Sequence, residues 1–580
     1  MGPYAVIALI VIAMHWPGLF TLPPLDRDES RYAQATVQMF ETGDFVEIRF
    51  QDDPRNKKPV GIHWLQAASV GLFSAADRRE IWAFRLPSLL GVLIACLVTY
   101  WGTSRLFNPC IGFLAALLLS STVVVAAEAT IAKTDGVLLA CLAASQFALA
   151  QLYVRNQHDN RFSRHDLGWL WRLNGTAAVF WVALALGTLV KGPVAPVVTS
   201  LTCATLIVAD RRLGWMKGLA PLAGMGIALA IVLPWVVAIW VQTGGQFFVE
   251  AFLVDVGPKM VSDQETHGAP PGYYTVLAPL LLWPASLFVL PALYNAWRVR
   301  LTPAVKFFLA WIVPAWIFFE IAPTKLPHYV LPTFPAIAAL CAMYIFRQGT
   351  SAHGDIRGAP RLLQVASAMV WLLLSAAIAA FVGLTPILFA ADVGRGLLYG
   401  TAAIATVSVL VYFMQIRALW QSAAYGVVIL AAISYFVILQ IVLPSLSQLD
   451  VSRRLAAAVE AQAAGRDMHV ISSGYAEPSF VFLTATDTDL VPPGRAADLL
   501  AGTPDAVAAI EERNEPDFIE RANALSLVLT RGETVEGLNY SKGDEVRITL
   551  FTAEPAQPRP GPDAQQAPRA FDPKLKRLED

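Results

Sequence analysis

Blocks of about 20 apolar residues, each nearly free of charge, follow one another along most of this chain, and nothing else in the sequence constrains its fold as strongly. AVIALIVIAM lies near the start, LPSLLGVLIACLVTYWG runs from 86 and PLAGMGIALAIVLPWVVAIWV from 221. A run of about 20 such residues crosses a bilayer as a helix, and no globular core uses a dozen of them in series. Composition agrees, with 56% hydrophobic and 15% charged residues against about 25% charged in a typical soluble domain. Spans are predicted at about 3–20, 82–106, 109–126, 134–153, 172–189, 192–209, 218–241, 273–293, 304–322, 329–346, 362–384, 395–416 and 424–444. The expected fold is an all-α polytopic membrane protein with about 13 transmembrane helices.

The first block lacks a basic leader and ends in WPGLFTLPP rather than a small-residue cleavage pattern, so it is read as a span. Residues 60–74, VGIHWLQAASVGLFS, are too short to cross comfortably and read as an amphipathic helix at the interface. Lys and Arg concentrate in cytoplasmic loops. With the N-terminus inside, the inner loops hold Arg105, RNQHDNRFSRHDLGWLWR, DRRLGWMK, WRVR, the stretch from Arg347 to Arg361, and Arg417. The short outer loops hold little beyond Lys133, Lys191 and Lys325. An odd number of spans then puts everything after 445 outside.

Beyond 445 the composition changes. DVSRRLAAAVEAQAA reads as an amphipathic helix, HVISSGY and SFVFLTATD as strands, and RANALSLVLTRG and DEVRITLFTAE as strands separated by turn-forming EGLNYSKGD. A soluble α/β domain is expected over 446–554, with 555–580 a Pro-rich disordered tail. The five cysteines all lie in or beside hydrophobic segments, so neither a disulfide scaffold nor a thiolate metal site is indicated. Net charge is -1 and no basic aromatic stripe points to nucleic acid.

The unusual chemistry sits in the outer loops. The first (21–81) carries Asp26, Asp28 and Glu29, then Arg31, on a helical stretch that places Asp28 and Arg31 one turn apart with Tyr32 on the adjoining face. Acids at a helix start also suit the macrodipole, so capping alone explains such a cluster. The loop goes on to Lys57 and Lys58, which suit either interfacial anchoring or an anionic phosphate. AEATIAKTDG adds Glu128, Lys133 and Asp135, and GTLVKGP adds Lys191. The loop 242–272 adds Asp255, Lys259, Asp263, Glu265 and His267, and APTKLPHYVLP adds Lys325, His328 and Tyr329. Ionisable groups at bilayer level tend to line cavities or pathways. Gathered together, these would hold a lipid-linked phosphate and offset charge on a leaving group, with a carboxylate as base or as ligand of a divalent ion. A transporter or flippase of a lipid-linked or anionic substrate is the alternative, and would place its special groups nearer the midplane. No P-loop or HExxH motif is present, and no soluble nucleotide cofactor is expected.

LPPLDRDESRYAQATVQMFETGDF, the KKP element and KLPHYVLP resemble the membrane glycosyltransferases related to protein O-mannosyltransferases, in particular the bacterial branch containing the lipid A aminoarabinose transferase (glycosyltransferase family 39-like). The resemblance covers about residues 3–445. It implies a GT-C fold with two juxtamembrane helices in the first outer loop, and sugar transfer in the periplasm of the bacterial inner membrane from a polyprenyl-phosphate carrier. The acceptor it implies is lipid A, another envelope glycan or lipid, or a secreted protein; the sugar includes aminosugars such as aminoarabinose. It maps the catalytic carboxylate onto Asp28 with Glu29 beside it. Donor-phosphate and sugar contacts fall on Arg31, Tyr32, Lys58, Lys325 and Tyr329, with Lys57 and His328 adjoining. Lys57 stands where the family has a glutamate, a departure that bears on the donor's identity. Asp135 and His267 take supporting roles, and Asp28 with Asp135 would hold a divalent metal ion if one takes part. A monomer acting on membrane lipids is expected.

Overall fold

The computed structural model describes residues 1–156, 168–251, 268–348, 359–389 and 394–554. Most of the basic segment 155–172, the loop between Arg347 and Arg361, the loop carrying His267 and the tail 555–580 lie outside the described residues. The chain divides into two compact units, Met1–Asp450 and Val451–Asp580.

The first unit is helical and the chain is a multi-pass membrane protein. Among the described residues nine helices are long and apolar enough to cross a bilayer, from Pro3–Thr21 to Trp420–Ser445. Two further runs are bent within their length, Pro109–Ser120 with Val123–Ala129 by 69° and Tyr273–Leu281 with Ala285–Arg298 by 115°. Two apolar helices, Gly175–Lys191 and Val194–Asp210, are shorter. These segments account for every span marked on the sequence, but the bent and short ones do not qualify as spans by length alone. Pro87, Pro234, Pro314 and Pro386 lie inside long helices, where neighbouring helices can satisfy the carbonyls that proline leaves open.

The first loop holds two helices, Asp28–Thr42 and Gly61–Phe73, joined through a short hairpin pairing Arg49–Phe50 with Asp53–Pro54. The first opens on two acids, favoured at a helix N-terminus, and ends at Gly43, whose φ of 72° is the left-handed conformation that glycine adopts freely. The second is 13 residues long, about 20 Å at 1.5 Å per residue, and too short to span. Thr36 Oγ1 links the pair, lying 2.9 Å from His63 Nδ1 and donating to Gln66 Oε1 at 2.8 Å. Burial of His63 holds its imidazole down at a pKa of about 3, so this link is made by a neutral ring.

Val451–Ala463 forms the predicted helix at the start of the second unit, and a five-stranded mixed sheet follows. His469–Ser473 pairs in parallel with Asp489–Leu490 on one side and Ala506–Glu511 on the other. Asp544–Glu554 pairs antiparallel with Ala506–Glu511 and with the edge strand Val528–Asn539. Two apolar clusters flank it, one led by Val451, Leu455 and Val459, the other by Ala496, Leu500 and Phe518. Three expectations are corrected. Residues 521–524 of RANALSLVLTRG end the helix Glu515–Ala524, and residues 536–539 of the expected turn belong to the strand Val528–Asn539. SFVFLTATD is not a strand: Pro478–Leu483 is a helix with proline in its first turn, and Phe480, Val481 and Phe482 are all buried. Consecutive buried apolar residues are equally compatible with a helix packed on several sides and with an inner strand, and proline at the first position favours the helix.

Candidate active site

The site forms where the ends of several helices meet the first loop. Asp135 is the first residue of the helix Asp135–Asn156, and Lys191 is the last of Gly175–Lys191. Their side chains form an ion pair of 2.6 Å between Lys191 Nζ and Asp135 Oδ1. His328 lies between two carboxylates, with Nδ1 3.7 Å from Glu128 Oε1 and Nε2 3.9 Å from Asp135 Oδ2. Tyr329 meets the His328 ring edge-on at 5.2 Å and carries Lys191 Nζ over its face at 5.8 Å. Lys58, Asp135, Lys191, His328 and Tyr329 all line one cavity of about 160 Å³, whose remaining wall is largely apolar and includes Phe318 and Phe319. Five polar side chains from four separate turns of the chain therefore converge.

Asp28 opens its helix beside this cavity rather than on its wall. Its carboxylate is 52% exposed and accepts a hydrogen bond from Arg55 Nη2 at 3.2 Å. Burial is the largest single influence and pushes the carboxyl up. Arg55, Lys133, Arg31 and Lys58 together outweigh it, so Asp28 is held below the usual carboxylate range. Tyr32 is buried, packs against His63 at 5.4 Å and lies under the Arg55 guanidinium at 4.7 Å. Burial keeps its phenol protonated by raising its pKa. Lys133 forms an ion pair with Glu128 at 3.6 Å. Burial works against its charge, but Glu128, Asp135 and Asp28 prevail and raise its pKa.

Other expected residues are placed differently. Glu29 is 1% exposed, and its two oxygens receive Arg85 Nε and Nη2, both at 2.8 Å. They also accept the backbone N–H of Ala132 at 2.7 Å and of Leu25 at 2.8 Å. Arg85 in turn donates to the carbonyls of Leu19, Leu22 and Pro23. So engaged, Glu29 ties the start of its helix to Arg85 and to the turn at Ala132. Lys325 is buried, its ammonium donates to the Ala322 carbonyl at 2.5 Å, and Thr324 rather than Lys325 lines the cavity. Lys57 is exposed, Arg31 is half-buried near Asp28, and His267 lies outside the described residues.

The two carboxylates expected to hold a divalent metal ion, Asp28 and Asp135, are each engaged by a cation. Among the described residues no three His, Cys, Asp or Glu side chains gather to hold one. Asp28 is paired with Arg55, and Asp135 with Lys191. Neither Arg55, three residues before Lys58, nor Arg85 was among the residues expected from the sequence. An arginine at the start of an apolar span is itself a signal, because such a charge is costly unless partnered.

Beside the cavity runs a groove of about 890 Å³ walled by Trp64, Leu72, Leu86, Ile94, Val182 and Leu186, among other apolar side chains. Gly61 and Leu189 line the groove while Lys58 and Lys191 line the cavity, so the same two segments serve both. A Cβ on Gly61 would lie 2.7 Å from the Leu189 carbonyl oxygen, which shows how closely those segments approach.

Residues 57–240 match the sequence family described as dolichyl-phosphate-mannose-protein mannosyltransferase. The chain is 27% identical over 341 residues to the undecaprenyl phosphate-alpha-4-amino-4-deoxy-L-arabinose arabinosyl transferase of Yersinia pestis (strain Pestoides F), a match covering 58% of each chain. To the protein of the same name from Aeromonas hydrophila it is 29% identical over 335 residues, covering 56% of this chain and 57% of that one. The match thus spans under two thirds of the length of these curated relatives. Among solved structures, ArnT from Cupriavidus metallidurans bound to undecaprenyl phosphate superposes with a TM-score of 0.70 at 17% identity, covering 94% of this chain and 97% of that one. The apo form of that protein gives a TM-score of 0.68 at 19% identity. The likeness shows a shared fold along nearly the whole chain.

Proposed function

We infer that this chain, which has the GT-C fold, is a membrane glycosyltransferase that moves a sugar from a polyprenyl-phosphate carrier to an acceptor at the periplasmic face of a bacterial inner membrane. The observation that carries the reading is the joint placement of Lys58 and Lys191 on a cavity beside a large apolar groove. A phosphate held by the two ammonium groups and an isoprenoid laid in the groove match that arrangement in charge and polarity. The relatives' names point to an undecaprenyl-phosphate aminoarabinose donor, and an aminosugar passed to lipid A is the form of the reaction we favour. The polar groups stand at helix ends and in turns, which supports an enzyme over a transporter with a midplane site.

In the transfer, the acceptor oxygen forms a bond to the anomeric carbon. The bond from that carbon to the phosphate oxygen breaks, and its electron pair stays on the phosphate. A single displacement inverts the anomeric configuration. Lys58 and Lys191 stabilise the charge that develops on the leaving phosphate. Asp28 accepts the acceptor's proton, or orients the acceptor where it is already an anionic phosphate. Because the neighbouring cations keep Asp28 ionised, it is ready as a base throughout the neutral range. Asp135 keeps Lys191 in place, and Glu29 fixes the start of the helix that carries Asp28.

The orientation we favour rests on the basic residues of the six loops read as cytoplasmic from the sequence, which puts the N-terminus inside and the second unit in the periplasm. The test is reconstitution in liposomes with an undecaprenyl-phosphate-linked aminopentose and lipid A. Wild-type protein is expected to label the acceptor and release undecaprenyl phosphate, and Asp28→Asn to lower turnover about a hundredfold or more, the scale of losing a general base. Wild-type turnover by folded D28N would remove Asp28 from the chemistry. Absence of transfer by wild type to any lipid or protein acceptor would remove the reading itself.

A further inference from the structure

Arg55 has one anionic partner and one aromatic one. In the structure its Nη2 donates to Asp28 Oδ1 at 3.2 Å and its guanidinium lies over the Tyr32 ring. The Arg55 side chain is 11% exposed, whereas that of Asp28 is 52% exposed, so water reaches the pair from the carboxylate side. The backbone around Arg55 is anchored: its N–H donates to the Ile48 carbonyl at 2.7 Å, and Asn56 Nδ2 donates to Glu250 Oε2 at 2.9 Å. Three residues further on, Lys58 lines the cavity where the donor phosphate is placed. A fixed backbone, a long side chain and a single hydrogen bond to a half-exposed carboxylate together allow the guanidinium to move without the loop moving. A phosphate beside Lys58 offers it the two-pronged, charge-assisted contact that guanidinium groups favour.

We propose that Arg55 is a positioning residue that exchanges partners, holding Asp28 while the site is empty and passing to the carrier phosphate when the lipid binds. The proposal rests on the lipid-phosphate reading above and goes beyond it by coupling donor arrival to release of the base. The Asp28 carboxylate becomes available as the phosphate that must leave acquires its third cation. The other charged or titratable groups acting on Asp28 are Lys58 on the same loop as Arg55, Lys133 on the turn before Asp135, Arg31 and Tyr32 on its own helix, and His328.

The experiment is equilibrium binding of radiolabelled undecaprenyl phosphate to the full-length protein in phosphatidylcholine nanodiscs, with wild type, D28N, Arg55→Met and the double variant. Arg55→Met is expected to weaken binding about tenfold through loss of a charge-assisted contact. D28N is expected to strengthen it about threefold or more, since Arg55 no longer has a competing partner. In the Arg55→Met background D28N should change affinity by less than about twofold, because contacts that share a partner are non-additive. A merely structural arginine would not make D28N a tighter binder. The proposal is overturned if D28N gives no gain, or the same gain in both backgrounds, the mark of simple repulsion between carboxylate and phosphate. Should Arg55→Met not fold, Arg55→Gln completes the same cycle. Failure of wild type to bind undecaprenyl phosphate at all would refute the lipid-phosphate reading and the exchange with it, whereas binding without the predicted coupling refutes the exchange alone.

Discussion

At the residue scale, adjacent acids in one motif do different work because their neighbours differ. Asp28 faces out toward Arg55, while one residue later Glu29 turns inward onto Arg85. Breaking a buried ion pair by removing one partner costs about 3–5 kcal/mol, because the remaining charge stays buried without compensation. Glu29→Gln should therefore lower the thermal midpoint and the yield of folded protein, leaving the folded fraction close to normal in turnover. Thermal melting in nanodiscs, followed by turnover per folded molecule, checks this. A normal midpoint with abolished turnover would return Glu29 to the chemistry. The acidic pair was legible in the sequence, but its division of labour was not, since Arg85 is 56 residues away and only the fold brings it under the first loop. The same holds for Glu128 and His328, whose approach depends on how distant turns pack. Lys325 looked equivalent to Lys58 by charge, and only burial separates them.

At the scale of elements, the site depends on how closely two helices can pack. A Cβ on Gly91 would lie 2.5 Å from the Gly136 carbonyl carbon, and one on Gly136 would lie 2.6 Å from the Ser88 carbonyl oxygen. The helices Ile81–Leu106 and Asp135–Asn156 thus touch backbone to backbone, one residue from Asp135. Gly136→Val should force them apart and shift Asp135 off Lys191. A loss of kcat/KM of about a hundredfold is expected, the scale of a 1 Å displacement of a positioned group. Gly226→Ala, where a Cβ meets nothing within 4 Å, serves as the control and should behave as wild type. Equal activity of both variants would show that this crossing does not set the site. Helix positions were easy to read because the apolar blocks are long and the bilayer demands them. The second unit was harder. Ala506–Glu511 is buried at every position and shows no alternation, as expected of a strand covered on both faces, so the sequence reading did not mark the strand that joins the parallel and antiparallel parts of the sheet.

At the scale of the whole molecule, the two units differ in what stabilises them. Each membrane helix satisfies its own backbone hydrogen bonds, so insertion of the first unit needs nothing from the second. The second has its own hydrophobic clusters on both faces of its sheet, and a unit with its own core can fold alone. Two expectations follow from one cut after Asp450. Residues 1–450 should still insert and bind undecaprenyl phosphate, and residues 451–554, expressed alone, should unfold in a single cooperative transition with a far-UV signal of mixed helix and sheet. Membrane fractionation with lipid binding reads the first outcome, and chemical denaturation followed by circular dichroism reads the second. If the fragment 451–554 is unfolded in isolation, its two apolar clusters are insufficient by themselves. If residues 1–450 insert but no longer bind the lipid, the second unit contributes to donor capture. Binding retained with transfer lost would instead place its contribution after capture, at acceptor engagement or turnover.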